Sequence, residues 1–145
     1  MILNQYLGEW DTTFTANENP KEMKGRISTK WILGGRFLQQ TATIQTKHGS
    51  QPFILSNLVT YDPDKEGFRA WKFTSAGTVS ETRLTWDSDS KTMTSKTVDS
   101  PDEKSVTSTG TLVEDGEDHW VSVVEDQAGN TLSIVSGKNI RRENE

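Results

Sequence analysis

A chain of 145 residues with no cysteine is sized for one domain around one core and has no disulfide framework to support it. Five Trp and five Phe within a hydrophobic fraction of only 31% set it apart from disordered chains and point to a thin apolar layer rather than a thick core. A net charge of −5, with Arg141-Arg142 the only adjacent basic pair and acidic Glu143 and Glu145 close behind, argues against a nucleic-acid partner.

Ile2, Leu3, Tyr6 and Leu7 have helical spacing over a segment so short that packing must hold it, which predicts a plug over one end of the fold. From Gly8 to Ala16, Trp10, Thr12 and Phe14 alternate with Glu9, Asp11 and Thr13, giving a first strand with one apolar face. Asn17 to Lys24 is polar, contains Pro20, and reads as the longest loop. A second strand over Gly25 to Leu33 sets Ile27, Thr29, Trp31 and Leu33 on one face. Gly34-Gly35 makes a tight connection, and Arg36 to about Thr46 forms a third strand whose orientation its pattern leaves open.

After a loop over Lys47 to Pro52, Phe53 to Tyr61 is the fourth strand. Asp62 and Pro63 suit the first two positions of a type I turn, and Gly67 is expected to take φ > 0 where the next strand begins. Phe68 to Ser75 then alternates: Arg69, Trp71, Phe73 and Ser75 share the face assigned to the interior, and Phe68, Ala70, Lys72 and Thr74 the other. Further strands over Thr78–Trp86, Thr92–Val98, Ser105–Val113, His119–Glu125 and Thr131–Arg141 are joined by short acidic or Gly-containing turns. Near-regular spacing of Thr- and Val-rich strands argues an all-β antiparallel up-and-down barrel of about ten strands. Closure would remove the edges that so large a sheet exposes. No second domain interrupts residues 1–145. No apolar run is long enough to cross a membrane, and Met1 to Trp10 lacks the basic start and apolar centre of a secretory signal, so a cytoplasmic location is expected, with export after removal of a signal as the alternative.

Gly8-Glu9-Trp10 opening the first strand and Arg141 with Arg142 ending the last resemble the lipocalin and fatty-acid-binding group of calycin barrels. Leu33-Gly34-Gly35-Arg36-Phe37, Tyr61-Asp62-Pro63, Trp71 with Phe73, Ser75 and Gly77, and Trp86-Asp87 before Lys91-Thr92-Met93-Thr94 are similar to a bacterial lipocalin-like family of unknown function. The resemblance spans Leu7 to Arg142. It implies a small barrel with an internal cavity, within a group that includes carriers of small apolar molecules, haem-binding barrels and a few cofactor-free cyclases. Fold alone does not choose among these.

Trp10 with Arg141 or Arg142 reads as barrel closure, a guanidinium stacked on an indole. For ligand binding, Trp31, Trp71 and Phe73 are assigned as walls and Arg69 or Arg36 as the polar anchor for a ligand carboxylate, Arg69 being equally a partner for Glu81 on the next strand. Trp86 and Trp120 could add to an aromatic-lined cavity or to a filled core, and Thr12, Thr29 and Thr41 favour a partly wet interior. Of the two histidines, His48 sits in a polar loop and His119 follows an acidic turn; neither has zinc-site spacing, and no metal or cofactor is expected. The leading expectation is non-catalytic binding of a small apolar or amphipathic molecule inside the barrel. A cofactor-free cyclase or isomerase using His119 with Asp118 or Glu117, and a filled barrel that acts as an interaction module and homodimerises through a strand face, are the alternatives.

Overall fold

The structure, a computed structural model, describes residues 2–46, 51–100 and 102–143. After a 3-10 turn over Ile2–Tyr6, the chain forms strands β1 Gly8–Ala16, β2 Asn19–Ile32, β3 Phe37–Ile44, β4 Phe53–Asp62 and β5 Gly67–Thr74. It continues with β6 Val79–Asp87, β7 Thr92–Asp99, β8 Ser105–Glu114, β9 Glu117–Glu125 and β10 Thr131–Arg141. Each strand pairs antiparallel with its neighbours in sequence, and β10 returns to β1 from Trp10↔Arg141 to Ala16↔Val135, closing the ten strands into an up-and-down barrel. Every strand therefore has a ladder on both sides, and none is left as a template for aggregation.

Registers Ile27↔Ala42↔Leu55 and Leu38↔Val59↔Ala70 align inward positions across neighbouring strands, so the period of two builds one interior. On β3 it is Leu38, Gln40, Ala42 and Ile44 that face this interior. The 3-10 turn covers the end where β1, β3, β5, β7 and β9 begin. Its Leu3, only 2% exposed, packs with Leu38, Val59, Phe68 and Ala70, and Leu7, Trp31 and Trp86 lie against that cluster. Burying one Leu contributes about 1.5–3 kcal/mol, which holds in place a turn too short to persist alone. Arg141 closes the same end: its guanidinium carbon lies 4.6 Å from the centre of the Trp10 ring, and it donates to Asp115 Oδ1 (2.9 Å) and to the Gln5 carbonyl. Arg142 lies 3.6 Å from Asp11 instead.

Three local expectations are corrected. Asn17–Lys24 is not the longest loop, because β2 begins at Asn19 and pairs Met23 with Phe14 and Asn19 with Ala16. Pro20 falls at the irregularity between those pairs, where a missing N–H costs no ladder bond. At the β4–β5 turn, Asp62 accepts the Asp64 N–H as expected of a turn Asp (3.2 Å), yet it is Glu66 that takes positive φ, at 50°. Gly67 is required for space instead, since a Cβ there would stand 2.8 Å from the Leu84 carbonyl oxygen.

The third correction concerns β5. Val59↔Ala70 and Tyr61↔Phe68 turn Phe68 and Ala70 into the core and leave Arg69, Trp71 and Phe73 on the outer wall. On that face charge covers Trp71, while Phe73 is exposed. Arg69 lies 4.9 Å over the Trp71 ring and 3.3 Å from Glu81, while Asp62 lies 4.0 Å from Arg69 and 3.6 Å from Arg83.

Candidate functional site

The interior is not filled by side chains. It holds a cavity of about 700 Å³ that runs from the plug residues Leu3 and Tyr6 to Met23, Ile44 and Phe53 near the opposite end. Its walls are largely aliphatic: Ile27, Leu38, Ala42, Leu55, Val59, Ala70, Leu84, Val106 and Val135 come from strands all round the barrel, with Phe14 and Trp120 on one side. Its volume and character are those of small-molecule pockets in general, and a few polar groups interrupt the apolar walls.

Those polar groups form two poles. The first lies on the β3–β5 wall, where Gln40↔Asn57↔Lys72 are directly opposed across the ladders and all three line the cavity. Burial lowers the Lys72 amine below its ordinary value, and no ion pair engages it among the described residues. Thr29, opposite Gln40 on β2, extends the row with a buried hydroxyl that has no hydrogen-bond partner among the described residues.

The second pole lies at the plug end on β9 and β10. Asp118, 8% exposed, faces inward, and burial raises its carboxyl to about 6, against the opposing pull of the Asn139 hydrogen bond and the charge of His119. Asn139 is fixed between two neighbours: its Oδ1 accepts the Trp120 indole N–H (3.1 Å) and its Nδ2 donates to Asp118 Oδ2 (3.3 Å). Among the described residues Asp118 Oδ1 has no partner. Neither has the buried Tyr6 hydroxyl, whose proton is held far more tightly than usual by burial and then by the Asp118 charge.

The residues assigned from sequence are dispersed relative to this cavity. Trp31 lies beneath the plug, its indole N–H donating to Asn4 Oδ1 (2.8 Å), and belongs to the packed end. Arg36 is exposed in the turn before β3. Arg69, Trp71 and Phe73 stand on the outer wall, and on β5 it is Lys72 rather than Arg69 that lines the cavity. Trp86 packs against the plug cluster and Trp120 lines the cavity. His119 points outward and lies 3.2 Å from Glu117, on the face opposite Asp118, so the two do not form an acid–base pair in the interior. His48 lies outside the described residues. Among the described residues no three His, Asp or Glu side chains come together as metal ligands, and no helix is long and apolar enough to cross a membrane.

Lys72 was missed because it looks like a surface residue when read singly, while Asp118 was named only as a partner for His119 and Tyr6 only as part of the plug, neither as a wall of the cavity. The available signal was alternation: Lys72 shares its parity with Phe68 and Ala70, and Asp118 with Trp120.

Fold and site together define a closed ten-stranded antiparallel barrel enclosing a mostly apolar cavity with a lysine and an aspartate in its walls. The chain belongs to the DUF1579 family, described as a protein of unknown function, which matches residues 1–138. This agrees with the expected membership of a family of unknown function. Among solved structures it is similar to Rv2717c from M. tuberculosis, with a TM-score of 0.74 and 12% identity over 98% of both chains. It is also similar to the S-type phycobiliprotein lyase CPES from Guillardia theta, with a TM-score of 0.69 and 11% identity over 99% of this chain and 92% of that one. At such identities the likeness is one of fold. No curated protein sequence matches the chain.

Proposed function

We propose that the barrel binds, without transforming it, a small and mostly apolar molecule in its interior, with an acidic group of that molecule turned toward Lys72. The observation that carries this reading is the cavity of about 700 Å³ with an amine in its wall that no carboxylate of the described chain engages. An aliphatic lining favours apolar surface, and an unpaired ammonium in a poorly hydrated site gains most from an anion brought by the ligand. Arg69 takes no part, because Glu81 and Trp71 already occupy its guanidinium outside the barrel.

Titration with anilinonaphthalene sulfonate, an apolar fluorophore with one anionic group, tests the reading. It is expected to brighten on binding, Lys72→Met is expected to weaken binding about ten- to a hundredfold, the worth of a hydrogen bond to a charged group, and Arg69→Ala to leave it unchanged. A bulky substitution in the wall, Ala42→Phe, should abolish it. Binding that survives Ala42→Phe and falls with Arg69→Ala would move the site to the outer wall and end this proposal.

A further inference from the structure

We propose that the Tyr6 hydroxyl and Asp118 Oδ1 form a hydrogen-bonding subsite at the plug end of the cavity that selects ligands bearing a hydroxyl group. The inference rests on the interior-binding reading above and names a chemical feature of the ligand.

Buried polar atoms in folded proteins nearly always have partners, and an exception calls for an explanation. Here two exceptions belong to residues that line one cavity. Both residues line the same cavity, the charge of Asp118 is felt at Tyr6, and neither the phenol oxygen nor Oδ1 finds a partner among the described residues. The rest of the local arrangement holds Asp118 rather than satisfying it. Asn139 takes Oδ2 and is itself fixed by Trp120. On β8, Gly110 leaves room for Oδ1, since a Cβ there would stand 3.0 Å from it. The carboxylate is therefore oriented by one oxygen, while the other is buried beside Gly110 without a hydrogen-bond partner among the described residues.

The missing partner can be specified from what each orphan supplies. Oδ1 of an ionised carboxylate only accepts, and the Tyr6 phenol is a donor that also accepts. A hydroxyl is the smallest group that meets both, donating to Oδ1 while accepting from the phenol. A methyl group in the same place would leave both atoms desolvated and unpaired, and sites built to bond a substrate hydroxyl reject the analogue that lacks it. Lys72 lies on β5 toward the other end of the barrel, so this discrimination does not depend on the acidic group of the ligand.

The test compares naphthol with methylnaphthalene, substituted at the same ring position and nearly equal in size, as displacers of anilinonaphthalene sulfonate from the full chain. In an apolar cavity without the subsite the methyl compound binds more tightly, because the hydroxyl loses its water for nothing. With the subsite, naphthol is expected to bind about tenfold more tightly than methylnaphthalene. That preference should vanish in Tyr6→Phe and in Asp118→Leu, two variants that remove polar atoms without opening a large void, while methylnaphthalene affinity stays within about twofold. Equal or weaker binding of naphthol, or a preference that survives both substitutions, overturns the proposal and leaves the binding reading intact. If neither compound nor the fluorophore binds, the reading itself falls and takes the subsite with it.

Discussion

Asp118 couples the stability of this barrel to pH. Its folded carboxyl titrates near 6, above the ordinary 3.8, chiefly because burial disfavours the charge. Between those values the folded state holds a proton that the unfolded chain releases, so the group favours folding at low pH and its contribution declines as pH rises through about 6. Above that, the buried charge costs up to about 3 kcal/mol, from two pKa units at 1.36 kcal/mol each. Asp118→Asn should therefore raise the stability measured by urea unfolding at about pH 8 and leave it nearly unchanged below about pH 4. An equal effect at both pH values would mean that Asp118 is not charged inside the barrel. Lys72 belongs to the same logic, since burial lowers its amine too. Lys72→Met should raise the melting temperature while weakening anionic probes, the pairing of gains and losses expected of a residue kept for binding rather than for the fold.

Among the elements, the strands were legible in the sequence and their faces were less so. β1 and β10 have the boundaries that alternation and turn residues imply, β4, β7 and β8 differ by one residue at one end, and β5 and β6 by one at each. β2 starts earlier because ladder pairing to β1 overrides the polar composition of Asn19–Lys24. β5 was harder for a physical reason: both of its faces carry aromatics, and a half-buried outer Trp71 under Arg69 has the same local pattern as an interior one. Only the register against β4, which no local pattern encodes, decides between them. The site inherited that uncertainty, and Lys72 went unseen on the face assigned to solvent. Closure of the plug end, by contrast, could be read from Trp10 and the terminal arginines. Trp10, 3% exposed, packs on Ile27 and Ala42 and donates its indole N–H to the Tyr6 carbonyl (2.9 Å). Trp10→Ala should cost about 3–5 kcal/mol of unfolding free energy, as large aromatic truncations do. A melting temperature unmoved by it would contradict this account of the closure.

At the scale of the whole molecule, closure into a barrel turns the edges of ten strands into one continuous ladder. The thin apolar layer expected from a hydrophobic fraction of 31% is what a hollow barrel needs: one inward row per strand and no second layer. The interior retains polar groups at two stations, Gln40, Asn57 and Lys72 on one wall and Tyr6, Asp118 and Asn139 at the plug end. A core selected for stability alone would have replaced them with aliphatic side chains. The central claim, that this interior receives a small, mostly apolar molecule, is tested most directly by anomalous diffraction from crystals soaked in a bromonaphthoic acid. The account predicts a bromine peak inside the barrel, with the carboxylate of the acid within hydrogen-bond reach of Lys72 Nζ. Bromine found only on the outer wall, beside Trp71 or Phe73, with the interior empty of it, would contradict the account.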